Sequence, residues 1–179
     1  MKLINKKKVI FLLSGTGSNL LKVLKKNLKS PKFSPVAIIS NNYISKKIKE
    51  LIVSNKLEIK IYERILKLTP KFIGECDVIF SVGYLKKIDP QIIDNYEIIN
   101  LHPSLLPKYK GLMTHKRMLV NNEANYGYSI HRVTKYLDDG EILSQKKGEI
   151  KSSDEFELSS NHKRLEHQNV YKDLIKFLN

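Results

Sequence analysis

The chain has no tryptophan and a single cysteine, Cys76. One thiol excludes an intramolecular disulfide framework and any metal site built on clustered cysteines. A reducing cytoplasm is the expected compartment, and Cys76, just ahead of an apolar run, is expected as a small buried side chain. No apolar run approaches the ~20 residues of a membrane span. The start, Met1 to Lys8, is basic, but the apolar run after it is short and ends in Ser14-Gly15. It lacks a small-residue cleavage site, so no signal peptide is expected. Acidic residues are scarce: 18 Asp and Glu stand against 32 Lys and Arg, a net charge of +14. Such a balance admits nucleic-acid binding. However, the lysines are spread along the whole chain, which is also rich in Ile and Asn, as compositional drift would produce. Excess positive charge also steers small anionic substrates.

What is present suits a globular core. The hydrophobic fraction is 41% over 179 residues, enough for one domain with a sizeable interior. With no composition break, repeat or linker, residues 1–179 are expected to form that single domain.

Val9 to Leu13 reads as a buried first strand and runs into Ser14-Gly15-Thr16-Gly17-Ser18-Asn19-Leu20. Leu20, Leu21, Val23 and Leu24 then recur at helical spacing. Strand, glycine loop and helix start make an anion-binding arrangement, because glycines let the backbone approach and the first helical N–H groups point at the ligand. Leu20 stands where a dinucleotide fingerprint needs its third glycine, and no Gly-Lys-Ser/Thr follows. The loop therefore suggests a monophosphate, and a plain tight turn gives the same pattern.

Further strands are read at Pro35 to Ser40, Leu57 to Tyr62 and Asp77 to Gly83, with helices at Ser45 to Ser54, over 63–76 (interrupted by Pro70) and at Pro90 to Asn95. Strands alternating with helices imply a right-handed, mostly parallel sheet with helices on both faces, an α/β Rossmann-like fold. After Pro107, the run Lys108 to Thr114 reads as an excursion able to close over a site. A helix at Thr114 to Asn122, strands at Tyr128 to Val133 and Ile142 to Ile150, and a closing helix from Phe156 to Leu178 complete the reading.

The most informative segment is Ile98-Ile99-Asn100-Leu101-His102-Pro103. It reads as a buried strand, and residues two apart share a face, so Asn100 and His102 point the same way. Pro103 ends the strand. An amide donor and an imidazole side by side at a strand's carboxyl end sit where α/β sheets bind ligands. They suit a reaction that builds negative charge on an oxygen while a proton moves. A capped strand end with a structural Asn is the plain alternative.

With these residues in view, the chain resembles the folate-dependent formyltransferases, and among them those acting on glycinamide ribonucleotide in purine synthesis. The resemblance rests on Ser14 to Leu20, on Asn100-Leu101-His102-Pro103-Ser104-Leu105-Leu106-Pro107-Lys108-Tyr109-Lys110-Gly111, on Ser129-Ile130-His131, on Leu137-Asp138-Asp139-Gly140, and on Glu166-His167 with Tyr171. It implies formyl transfer from 10-formyltetrahydrofolate, as cosubstrate, to a primary amine on a phosphorylated acceptor, with no metal. On that resemblance Asn100 donates to the forming oxyanion, His102 handles the proton, and Asp138 orients a water or the imidazole. Gly17, Ser18 and Asn19 match the phosphate loop, and Glu166 and Lys163 match acceptor contacts. Leu85, Lys86, Lys87, Ile88, Asn100, Thr134 and Leu137 fall where the family wraps the folate. His131 is implied as a neighbour of Asp138, although a histidine on such a strand also reads as core.

Three departures stand out. Asp139 replaces a usual glycine and adds charge beside Asp138. Met113 stands where His is common, and Lys163 where a polar amide is common. Arg64 has an undetermined relation to the folate tail. His115, His162 and His167 read as structural or exposed, because no pair has the i, i+4 spacing of a helical zinc site. Another amine acceptor, such as an amino sugar nucleotide, and a basic nucleic-acid-binding module are the alternatives. No membrane partner is expected, and either a monomer or a homodimer is compatible with the sequence.

Overall fold

The apolar runs pair side by side in one sheet. A computed structural model describes residues 6–179, so the first five residues of the basic start lie outside the described residues. The order is β1 (Lys8–Leu13), α1 (Ser18–Lys29), β2 (Ser34–Ser40), α2 (Lys46–Ser54), β3 (Lys60–Tyr62), β4 (Val78–Ser81), α3 (Pro90–Asn95), β5 (Ile98–His102), α4 (Thr114–Val120), β6 (Asn125–Arg132), β7 (Ile142–Glu149) and α5 (Glu155–Leu178). The sheet has seven strands ordered β3-β2-β1-β4-β5-β6-β7. The first five are parallel, β6 runs antiparallel to β5, and β7 runs antiparallel to β6. This is the α/β, mostly parallel architecture that the alternating pattern implies.

Strand pleating sends alternate residues to two apolar layers. Val9, Phe11, Leu13, Phe80, Ile99, Leu101 and Tyr128 face α1, α2 and α5 through Leu20, Val23, Leu24, Ile48, Ile52, Val170 and Leu174. Ile10, Leu12, Ile79 and Ile98 face the other way, against Ile92 of α3 and Leu68 and Ile73. A fully buried Leu, Ile or Phe contributes about 1.5–3 kcal/mol, so these two layers, rather than helix propensity, hold the elements in place. Buried residues of α1 recur at 20, 23, 24 and 27, one stripe of a helix. Asp89 caps α3 by accepting from Gln91 N, with Pro90 in the first turn.

Four expectations are corrected. Residues 63–76 form only a short 3₁₀ turn at Pro70–Phe72. Pro70 forces Thr69 to an extended φ of −131°, and Arg64 turns left-handed at φ 56°. The apolar residues that mimicked a helix instead drop singly onto the sheet. β3 is limited to residues 60–62 because Leu57 N bonds to Ile52 O and continues the turn after α2. β6 starts at Asn125, three residues early, since it pairs along β7 as far as Glu149. Cys76, expected buried, is half-buried, and burial pushes its thiol up to about 11.

The direction of winding reverses between β1 and β4, and the crevice at their carboxyl ends is where such sheets bind ligands. Ser14 ties its two sides together: its N–H donates to Gly83 O at 2.9 Å and its Oγ accepts from Leu85 N at 2.8 Å. Among the described residues no helix is long and apolar enough to cross a membrane.

Candidate active site

Two parts of the chain meet the crevice from opposite sides. The first is the turn from β1 into α1. Gly17 lies just before the helix at φ 70°, and a Cβ there would come within 2.7 Å of Ile48 Cδ1 and 3.0 Å of Leu13 Cδ1. No side chain caps α1 and its first turn holds no acid. The first helical bond runs from Leu21 N to Gly17 O. The amides before it are therefore open to an anion. Ser18 and Asn19 lie in this first turn, and Asn19 Nδ2 donates to Glu166 Oε2 of α5 at 2.8 Å. Asn19 Oδ1 is buried without a partner. Burial pushes the Glu166 carboxyl above its ordinary value, against the pull of Asn19 and Lys163.

Lys163 is exposed and begins a basic groove between α1 and α5. This open surface groove is lined by Lys22, Lys26, Lys163, Arg164 and Lys172, with no acidic side chain. Lys26 is held below its usual value by burial and by Lys172 and Lys22. Clustered charges of one sign create a field that favours anions near the glycine turn before α1.

The second part is the end of β5. Asn100 and His102 lie on one face, opposite Ile99 and Leu101, as pleating requires. His102 is buried at 4% exposure. Its Nε2 lies 2.9 Å from Tyr109 O. A carbonyl only accepts, so Nε2 carries the hydrogen and the neutral ring presents a bare Nδ1. Asp138 Oδ2 lies 3.4 Å from that Nδ1. Burial depresses the His102 pKa, and the Tyr109 carbonyl and Asp138 only partly offset this. The ring is therefore a neutral base with a carboxylate waiting beside it.

His131 pairs with Asn100 across β5 and β6. Its Nδ1 lies 2.8 Å from Arg132 O, so in the neutral ring Nε2 is an acceptor. Asn100 Nδ2 lies 3.2 Å from it. That contact takes one amide hydrogen and leaves the other available to an oxygen in the crevice. Asp138 Oδ1 sits 3.5 Å from the same Nε2. The backbone of Asp138 is left-handed at φ 46°, which aspartate tolerates. Gly111 N donates to its Oδ2 at 2.8 Å. Burial pushes this carboxyl up, but His131, the Gly111 amide and His102 outweigh it and leave it below the usual carboxylate range.

The segment from Pro103 to Met113 folds back over the strand end. Ser104 Oγ donates to Lys108 O at 2.7 Å, Arg117 donates to Lys110 O at 2.7 Å, and Lys108 pairs with Glu123 at 2.8 Å. Asp139, the extra charge, pairs with Lys110. Met113 is exposed and precedes α4 with φ 58°. Of the residues expected along a folate cleft, Leu85 and Leu137 are large exposed apolar side chains. Lys86 and Lys87 are exposed, while Ile88 and Thr134 are half-buried. Leu112 and Tyr136 add exposed apolar surface on the adjoining loops. Arg64 is exposed and lies over the Tyr43 ring at 5.5 Å.

The structure thus brings together Asn100, His102 and Asp138, and separately Gly17, Ser18, Asn19 and Glu166. Sequence reasoning missed the Tyr109 carbonyl and the Gly111 amide, which are backbone groups with no side-chain signature. It also missed that His115 and His162, far apart in the chain, touch at 2.6 Å. Among the described residues no group of three or more His, Cys, Asp or Glu side chains is placed to hold a metal ion.

Residues 7–175 match the family model described as formyl transferase. The chain is similar to the phosphoribosylglycinamide formyltransferase of Escherichia coli (strain K12), with 39% identity over 80 residues, 44% of this chain and 38% of that protein. It spans less than half the length of the first curated relatives it matches. A solved phosphoribosylglycinamide formyltransferase from Coxiella burnetii superimposes with TM-score 0.80 at 27% identity, covering 97% of this chain and 87% of that one. One from Anaplasma phagocytophilum gives 0.84 at 25%, covering 97% and 87%.

Proposed function

The chain belongs to the formyl transferase family, and we propose that it transfers a formyl group from 10-formyltetrahydrofolate to the primary amine of glycinamide ribonucleotide. The observation that carries this reading is the convergence of Asn100, His102 and Asp138 at the end of β5, with 3.4 Å between His102 Nδ1 and Asp138. The relatives and solved structures of that name support the choice of acceptor.

In this reading the acceptor's phosphate sits on the open amides of Gly17, Ser18 and Asn19, and Glu166 and Lys163 contact the rest of the acceptor. Leu85 to Ile88, Thr134 and Leu137 hold the folate against Asn100. The amine attacks the formyl carbon, a C–N bond forms, and the carbonyl oxygen becomes an oxyanion. The free hydrogen of Asn100 Nδ2 donates to that oxygen, a group already aimed where charge develops. The attacking nitrogen loses a proton to His102 Nδ1, and Asp138 stabilises the imidazolium. The bond to the folate nitrogen then breaks, the carbonyl re-forms, and the proton passes to the leaving nitrogen. No redox or metal step is needed to balance the reaction. A cytoplasmic location and residues 1–179 acting as one formyltransferase domain accompany this reading.

The test is to incubate the protein with both substrates and follow folate absorbance together with the mass of the product. Formylated glycinamide ribonucleotide, abolished in His102→Ala, is the expected result. Turnover only with an amino sugar nucleotide would reassign the acceptor, and absence of turnover with any amine would reject the reading.

A further inference from the structure

His162 lies on α5, one turn before Glu166, and only 1% of it is exposed. Residues four apart on a helix share a face. Its Nε2 is buried with no hydrogen-bond partner and lies 3.8 Å from Glu166 Oε1. Its Nδ1 lies 2.6 Å from Nε2 of His115 on α4. The two rings meet edge to face with centroids 4.8 Å apart, and Tyr126 of β6 closes the other side at 5.5 Å.

Two neutral imidazoles share one hydrogen in such a contact. If His162 donates from Nδ1, its Nε2 turns a lone pair toward the Glu166 carboxylate, placing two buried acceptors face to face. If His115 donates instead, the hydrogen of His162 sits on Nε2 and faces Oε1. A buried acceptor without a donor is costly, so the second arrangement is favoured. The other carboxylate oxygen already accepts from Asn19. Glu166 then accepts a hydrogen bond from Asn19 on α1 at 2.8 Å, and the N–H of His162 faces its other oxygen from within α5 at 3.8 Å, beyond hydrogen-bond length.

We infer that His162 is a positioning residue for Glu166, and that His115 fixes the nitrogen on which His162 carries its proton. The inference rests on the assignment of Glu166 to the acceptor site. The pair also joins α4, which follows the loop over His102, to the helix that carries the acceptor contact.

The first test needs no turnover. Imidazole nitrogen shifts of the full chain should show His162 protonated at Nε2 and bare at Nδ1. A proton on Nδ1 overturns the inference. The second test is kinetic. His162→Leu should raise KM for glycinamide ribonucleotide about tenfold, as expected when an N–H facing a buried carboxyl is replaced by an apolar side chain. KM for the folate and kcat should stay within about twofold. His162→Gln, which keeps an amide donor near the Nε2 position, should restore most of the loss. His115→Leu should change KM in the same direction as His162→Leu while leaving the fold intact. Equal defects in His162→Gln and His162→Leu, or parallel rises in both KM values, overturn it. A wild type that formylates nothing rejects the assigned reaction and leaves the nitrogen spectrum to decide the place of the proton.

Discussion

His102 and Asp138 face each other across 3.4 Å, joining β5 to the loop after β6. The imidazole cannot turn toward a better partner, because Tyr109 O holds its other nitrogen at 2.9 Å. The imidazole is therefore fixed in orientation and in tautomer. The Asp138 carboxylate faces the bare nitrogen, the one that gains the proton in the proposed reaction.

This relationship sets a pH dependence. His102 is held below the ordinary histidine value by burial, so it stays neutral at pH 7 and loses base function only on acidification. The acid limb of kcat/KM should have its midpoint below the ordinary 6.5. Asp138 pulls that value up, so Asp138→Asn should shift the limb to lower pH. It should also lower the plateau by about 10²–10⁴-fold, the usual range for losing a proton-handling group. A limb that moves upward would contradict the assignment.

Gly17→Ala should damage the acceptor side alone. The residue is left-handed, and a Cβ would press on Ile48 and Leu13. The left-handed geometry alone costs about 1–2 kcal/mol. KM for the phosphorylated acceptor should rise while KM for the folate is unchanged, measured by steady-state kinetics with each substrate varied.

The basic groove gives a salt dependence. Lys22, Lys26, Lys163, Arg164 and Lys172 line it without an acid. With acceptor varied, kcat/KM should fall as salt rises through physiological ionic strength, where the screening length is about 8 Å. Lys22→Glu should flatten this response and leave kcat unchanged, because Lys22 lies outside the proposed contacts.

Stability depends on a contact away from the chemistry. Tyr128 of β6 donates to Asp173 Oδ2 of α5 at 2.5 Å, with both residues buried. Burial and Asp173 hold the phenol well above its ordinary value, so it remains a donor. Among the described residues, Tyr128→Phe leaves the buried Asp173 carboxylate with only Lys146 at 3.8 Å and should cost about 1.5–3 kcal/mol, read by denaturant unfolding. The rate per folded molecule should hardly change.

Much of this was legible from the chain. The pleat alternation in residues 98–102 places Asn100 and His102 together, and Pro103 ends the strand. Asp89-Pro90 marks the start of α3, where it is found. The segment 63–76 misleads because its apolar residues have helical spacing while Pro70 and the left-handed Arg64 deny it a helical path. Asp138 reads locally as part of a turn. Its place beside His102 depends on the loop after β6 and on the Gly111 amide, a relation between distant backbones. The His115–His162 contact is likewise tertiary, set by how α4 meets α5.

The most direct test of the central claim is the initial rate of product formation from 10-formyltetrahydrofolate and glycinamide ribonucleotide, compared between the wild type and Asn100→Ala. Removing one preorganised oxyanion donor should lower kcat about 10²–10³-fold while both substrates still bind. A rate within a few-fold of wild type would contradict the account.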